Sequence, residues 1–321
     1  MLVNLGTPQA PTAAAVRPYL REFLSDQRVV ELPRLLWWPI LYGIILPLRP
    51  AKSARKYQLI WRPEGSPLRH YTARQAELVA AELGGMGIYV DYAMRYGNPS
   101  IASVLDRAKA AGVERVLVVP LYPQYSASST GSALDGVMRW AAATRNVPEL
   151  RLLRGFHTEV GYINAVVSSV REFWAQHGVP DRLLMSFHGI PQFAVERGDP
   201  YQSECLESAR RIAAALDYPA AQITVSFQSR FGRAEWLRPY TSETLTELGG
   251  AGRVDVVCPG FVADCLETLE EIALEGRDTF LAAGGREFNL IPCLNDRPDW
   301  IRALADLCRR NLQGWLPVQE T

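Results

Sequence analysis

Side chains able to do acid-base or metal chemistry gather at two places in the chain. One is His188, where Leu183-Leu184-Met185-Ser186-Phe187, a run built like a buried strand, delivers an imidazole onto the turn Gly189-Ile190-Pro191. The other is an acidic helix start after Val257, in which Asp264, Glu267 and Glu271 follow Cys258-Pro259-Gly260-Phe261. A neutral imidazole, with an ordinary pKa of about 6.5, accepts a proton near neutral pH. Glu267 and Glu271 lie four apart on one helical face. In water that stacking costs a few tenths of a kcal/mol, but inside a cleft it raises one carboxyl's pKa. A histidine with two stacked carboxyls suits proton abstraction in an apolar pocket, or passing contact with a divalent metal ion. Lacking a third histidine or a thiolate pair, it makes a poor permanent zinc site. Each feature also has a purely structural reading. His188 could be a core histidine bonded to a carbonyl, and Asp264 with Glu267 forms a D-x-x-E capping signature whose helix would bury Leu266, Leu269, Ile272 and Ala273.

Strands and helices alternate around these residues. Short β-rich runs occur at Val3 to Leu5, Ile88 to Tyr92, Val116 to Val119, Leu183 to Phe187, Ile223 to Phe227, Val254 to Val257 and Phe288 to Ile291. Helical spacing of apolar residues marks Arg69 to Leu83, Ile101 to Ala111, Tyr162 to His177 and Ser203 to Leu216. The order predicts an α/β protein with two Rossmann-like domains, each a parallel sheet flanked by helices, at 1–155 and 156–321. An amphipathic last helix at about 300–315 could dock back on the first. The turns after the strands carry Tyr96, Tyr122, Tyr125, Phe231, Trp236 and Phe261, aromatics that exposed loop tips rarely hold unless they line something. An apolar cleft between the domains is the expectation. No turn matches a dinucleotide- or triphosphate-binding glycine pattern.

Composition narrows the function classes. Lys plus Arg and Asp plus Glu both number 34 in 321 residues, and no basic stripe interleaves with aromatics, so no nucleic-acid partner is expected. Five cysteines without a C-x-x-C pair fit reduced thiols in a cytoplasmic protein. The opening residues show no charged region, apolar core or cleavage site of an export signal, and the short first strand leaves room for native residues before Met1. The longest apolar tract, Leu32 to Leu48, is broken by Pro33, Pro39, Gly43 and Pro47 and is too short to span a bilayer.

Taken with Asn4-Leu5-Gly6-Thr7-Pro8, Gly65-Ser66-Pro67-Leu68, Arg95-Tyr96, Tyr122-Pro123-Gln124-Tyr125-Ser126, Ser186-Phe187-His188-Gly189-Ile190-Pro191, Arg197-Gly198-Asp199-Pro200-Tyr201, Gln228-Ser229-Arg230 and Phe261 to Thr268, the whole chain resembles the ferrochelatases, which insert ferrous iron into a porphyrin at the last step of haem synthesis. The resemblance implies a chelatase-like pair of Rossmann-like domains with a porphyrin cleft between them. It implies His188 and Glu267 as the catalytic and metal-contacting pair, with Glu271 and Asp264 as an acidic trail. It also implies Leu5, Arg95, Tyr96, Tyr122, Tyr125, Ser126, Trp236 and Phe261 as positions that line the macrocycle.

Within that resemblance the substrates are ferrous iron and protoporphyrin IX, with two protons released, and no permanently bound cofactor. The tail after Cys308 lacks the cysteines from which some relatives build a 2Fe-2S cluster, so no cluster is expected. Cys265 stands where relatives often have histidine. Leu32 to Leu48 matches a lip over the cleft; its apolar character and Leu5 favour protoporphyrin over coproporphyrin, and an exposed lip would give peripheral membrane contact. An ordinary buried helix is the other reading of that tract. A monomer is expected. The competing functions are a coproporphyrin ferrochelatase, a cobalt or nickel chelatase for another tetrapyrrole, and a non-catalytic tetrapyrrole or haem carrier, which would not need Glu267 and Glu271.

Overall fold

The structure is a computed structural model that describes residues 1–232 and 234–316. The chain divides into two compact units. The first comprises Met1–Leu121, Ser126–Gly155 and the chain from Ile301; the second comprises Tyr122–Tyr125 and Phe156–Trp300.

In the first unit β1 (Leu2–Gly6), β2 (Tyr92–Tyr96), β3 (Arg115–Pro120) and β4 (Glu149–Leu152) form a parallel sheet in the order β2-β1-β3-β4. In the second, β5 (Arg182–His188), β6 (Ile223–Gln228), β7 (Arg253–Val257) and β8 (Glu287–Leu290) repeat that arrangement as β6-β5-β7-β8. Parallel strands need crossover connections, and helices supply them on both faces, which is why Leu183, Leu184, Met185 and Phe187 are all fully buried on consecutive pleats. Val3, Ala93 and Val118 pack with Ile101, Val104, Leu105, Ala133 and Val137 from helices Ile101–Ala110 and Ser132–Ala143. In the second unit Leu184, Val254 and Val256 pack with Leu245, Ile272 and Phe280.

β2 lies at Tyr92–Tyr96, shifted by four residues from the β-rich run Ile88 to Tyr92 and sharing only Tyr92 with it. Its register with β1 pairs Leu2 with Tyr92, Val3 with Ala93 and Asn4 with Met94. That register buries Ala93 and Met94, leaving Tyr89 exposed with its hydroxyl on Asp91. β4 has no counterpart among the expected strands. The last helix, Pro298–Asn311, belongs from Ile301 onward to the first unit. Arg151 donates to the carbonyls of Asn311 and Gln313, which the helix end leaves unpaired, and its guanidinium lies 4.0 Å from the Trp315 ring centre. The tail considered for cluster ligands lies outside the described residues from Pro317 onward.

Among the described residues three π-helical segments occur, at Leu41–Ile45, Ala127–Gly131 and Glu267–Gly276, a winding that is rare and concentrated at functional sites. The third changes the buried face expected after Asp264: Thr268, Glu270, Ile272 and Gly276 are buried, while Leu266, Leu269 and Ala273 are only partly so. The tract 32–48 runs through helix Arg34–Ile40 and the first π segment into helix Leu46–Ile60. It buries Leu41 and Leu46 yet leaves Leu35 89%, Leu36 65% and Leu48 70% exposed. Among the described residues no helix is long and apolar enough to cross a membrane.

Candidate active site

In the second unit the site begins where β5 and β6 end side by side, with His188 paired to Gln228. The chain then turns tightly. Gly189 N–H donates to the Gln228 carbonyl at 2.8 Å, and a Cβ at Gly189 would sit 2.9 Å from that oxygen and 3.1 Å from the Trp236 ring. Only glycine fits there. His188 Nδ1 lies 2.5 Å from the Gly189 carbonyl oxygen. A carbonyl only accepts, so this bond places the ring proton on Nδ1 and leaves a lone pair on Nε2. The half-buried ring has Trp236 and Phe261 as aromatic neighbours, at 6.3 and 6.4 Å between ring centres.

The π helix Glu267–Gly276 brings up the carboxylates. One oxygen of Glu271 accepts from Ser229 N–H and the other from the Ser229 hydroxyl, each at 2.6 Å. Burial pushes the Glu271 carboxyl above the ordinary glutamate range, against the Ser229 hydroxyl bond and the nearby His188 ring, with the Glu267 charge adding to the rise. The backbone carbonyl of Glu267 accepts from Gln228 Nε2 at 2.9 Å. Beneath it, Ser186 donates to Gln228 Oε1, and Ser186 and Ser226 both bond to Thr241. This buried polar column ties the ends of β5 and β6 to the acidic helix.

Asp264 is placed differently from a capping residue. Its carboxylate accepts from Asn295 Nδ2 at 2.6 Å, Thr268 Oγ1 at 3.0 Å and Cys293 N–H at 3.4 Å, while Asn295 Oδ1 receives the Asp264 N–H. These bonds fasten the chain after β8 to the start of the π helix. Tyr122 and Tyr125 are half-buried in the second unit, where Glu204 accepts from Tyr125 N–H at 2.7 Å.

The remaining residues assigned to the macrocycle lie in the first unit. Leu5 is half-buried, and Ser126 caps the π segment Ala127–Gly131 by accepting from Ser128 N–H. Tyr96 is fully buried, and its hydroxyl donates to Asp26 at 2.9 Å. Arg95 donates through Nη2 to Asp26 at 2.5 Å and through Nε to the Ser132 carbonyl at 2.7 Å. The structure thus groups His188, Glu271, Trp236 and Phe261, keeps Asp264 with residues 293–295, and engages Arg95 and Tyr96 with Asp26.

Three polar participants have no site role in the sequence reading: Ser229 and Gln228, which it names only within a motif, and Asp26. Ser229 left a usable sign, since Gln228-Ser229-Arg230-Phe231 must reverse direction after a strand before any glycine is reached. Among the described residues no three His, Cys, Asp or Glu side chains converge closely enough to hold a metal ion.

The family model described as ferrochelatase matches residues 1–312. The chain belongs to the ferrochelatase family. It is 60% identical to the ferrochelatase of Aromatoleum aromaticum over 321 residues, covering 98% of this chain and 88% of that one. With the ferrochelatase of Chromobacterium violaceum it shares 57% identity over 324 residues, covering 99% and 89%. Among solved structures, SirB from Bacillus subtilis with Fe3+ aligns at a TM-score of 0.54 and 16% identity over 77% of this chain and 92% of that one. CbiX, described as the terminal enzyme for siroheme biosynthesis in denitrifying bacteria, aligns at 0.53 and 16% over 96% and 97%. At that identity the likeness is one of fold, and it places both sheets in a chelatase-like architecture. As a ferrochelatase the chain is a metal chelatase, with ferrous iron and a porphyrin as its substrates.

Proposed function

We propose that the porphyrin is protoporphyrin IX and that His188 Nε2 takes a pyrrole proton as ferrous iron enters. The observation that carries this reading is the Nδ1 bond to the Gly189 carbonyl, which leaves Nε2 as the ring's free acceptor. A free porphyrin carries two N–H groups, and iron replaces both protons. Nε2 accepts one and becomes imidazolium. Glu271, whose carboxyl takes up protons above the ordinary glutamate range, is the second acceptor, and Glu267 on the same helix passes protons or metal onward. Trp236 and Phe261 flank the imidazole and exclude water from the transfer. Tyr122 and Tyr125 contact the macrocycle, and Asp264 holds the acidic helix in register.

The exposed Leu35, Leu36 and Leu48 support an apolar substrate with two carboxylates and peripheral contact with a membrane surface by a cytoplasmic monomer. From Leu32 to Pro63 the chain has no acidic residue and carries Arg34, Arg49, Lys52, Arg55, Lys56 and Arg62, which suits an anionic lipid surface.

Anaerobic turnover with protoporphyrin or coproporphyrin and ferrous iron, followed by metalloporphyrin absorbance, tests the reading. Repeated turnover with a higher kcat/KM for protoporphyrin is expected. A preference for coproporphyrin overturns the substrate assignment, and metallation that stops at one equivalent overturns catalysis in favour of a carrier. Liposome flotation that is unchanged in Leu35→Ser with Leu36→Ser counts against the membrane contact.

A further inference from the structure

The two units make the same turn after the strand that lies outside their first strand. After β2 the chain passes through Gly97 at φ +85°, and after β6 through Ser229 at φ +68°. In both, the N–H of that residue donates to a glutamate: Gly97 to Glu22 Oε2 at 2.8 Å, Ser229 to Glu271 Oε1 at 2.6 Å. Glycine adopts this left-handed backbone freely, whereas a residue with a Cβ does so only against a steric cost. The second unit carries that cost at Ser229. What the serine adds over glycine is one group, its hydroxyl, and that hydroxyl donates to the other oxygen of the same carboxylate at 2.6 Å.

We infer that Ser229 is a positioning residue for metal insertion: its backbone N–H and its hydroxyl together fix the Glu271 carboxylate in one orientation, and the left-handed backbone is retained because it aims both donors at one group. A carboxylate has about four lone-pair sites, so two charge-assisted bonds leave each oxygen able to meet a proton or an incoming metal ion while the group cannot rotate. Gln228, the preceding residue, is held by Ser186 and in turn holds the Glu267 carbonyl, so the platform that carries Ser229 is itself fixed. This inference rests on the role proposed above for Glu271.

The test compares Ser229→Ala, Ser229→Gly, Glu271→Gln and the double variant Ser229→Ala with Glu271→Gln. Each is assayed for zinc and ferrous insertion into protoporphyrin and for porphyrin binding by fluorescence. Ser229→Gly adopts the left-handed turn without a Cβ and keeps the backbone donor, so it guards against loss through misfolding. Both Ser229 variants are expected to lower kcat about tenfold, the size typical of removing a hydrogen-bond partner that orients a working side chain, with the porphyrin Kd unchanged. In the Glu271→Gln background Ser229→Ala is expected to have no further effect, because the group it positions is already altered. Wild-type kcat in Ser229→Gly while Glu271→Gln is impaired overturns this inference and leaves the reading of Glu271 standing, as does an equal loss from Ser229→Ala in both backgrounds. Unimpaired turnover in Glu271→Gln overturns both.

Discussion

At the end of β2, Arg95 and Tyr96 spend their polar groups inside the first unit: Asp26 accepts from both, and Ser132 takes the Arg95 Nε. At the end of β5, His188 commits one ring nitrogen to a backbone carbonyl and keeps the other, and beyond β6 Ser229 holds a carboxylate that retains capacity of its own. Two sheets with the same strand order therefore put the ends of their strands to different work. The difference lies in polar closure. A network whose donors and acceptors are matched fixes a segment, whereas a nitrogen with a lone pair beside a carboxyl that burial has moved out of its usual range is equipped to move protons.

The largest expected effect separates these roles directly. His188→Ala should lower the rate of porphyrin metallation by about 10²- to 10⁴-fold, as loss of a positioned base does, with less than about 1 kcal/mol lost in denaturant unfolding. A folded variant that turns over at the wild-type rate would erase the contrast from the catalytic side. Arg95→Ala should do the reverse. It leaves the Asp26 carboxylate, only 9% exposed, without its cation, at a cost of about 3 kcal/mol in stability. Should the variant remain stable and lose porphyrin affinity instead, Arg95 would act on the macrocycle, the role the family resemblance implies.

Acid titration sharpens the comparison through opposite signs. Burial pushes the Asp26 carboxyl up, but the bonds from Ser132, Arg28 N–H and Tyr96 and the Arg95 charge outweigh it and hold the group below the ordinary aspartate value. A depressed carboxyl contributes stability above its unfolded pKa that is lost as pH falls through the folded one, so the penalty of Asp26→Asn should be full at neutral pH and shrink below about pH 4. Glu271 is raised instead. Its contribution is present below the ordinary glutamate value and is lost as pH rises through the folded pKa. Relative to wild type, Glu271→Gln should therefore grow more stable as pH rises above the ordinary glutamate value of about 4.3, as read by thermal unfolding across pH. The same sign in both variants would remove the electrostatic distinction between the units.

Much of this arrangement was legible because it rests on burial. Leu183 to Phe187 is apolar on both faces, which is what a central parallel strand requires, and it carried His188 to its strand end. β2 was misplaced because Ala93 and Met94 have little strand preference, and pairing with β1 overrides their propensity. β4, with the sequence Glu-Leu-Arg-Leu, is a half-exposed edge strand without a β-branched residue, so nothing local marks it. The π winding after Leu266 escaped because stacked Glu267 and Glu271 are equally consistent with an α-helix. Asp26 escaped because its partner Arg95 is 69 residues away, and nothing in Ser25-Asp26-Gln27 announces a long-range bond. Patterns disclose which residues are buried; polar partners are set by tertiary register.

The smallest effect concerns the turn both units share. Gly97 and Ser229 occupy left-handed backbone, yet only Gly97 is packed so that an added Cβ would lie 3.1 Å from the Thr7 carbonyl oxygen. Gly97→Ala should therefore cost about 1 kcal/mol from the backbone conformation, increased by that contact, with no hydroxyl to offset it. Metallation should stay near the wild-type rate once the folded fraction is counted, since Glu22, the carboxylate Gly97 holds, lies in the first unit's helix Ala13–Leu24 and not at the acidic π helix. Denaturant unfolding alongside turnover checks both. A loss of activity without a loss of stability would mean that the first unit's turn also positions a working carboxylate, and the division of labour between the two sheets would have to be redrawn around Glu22.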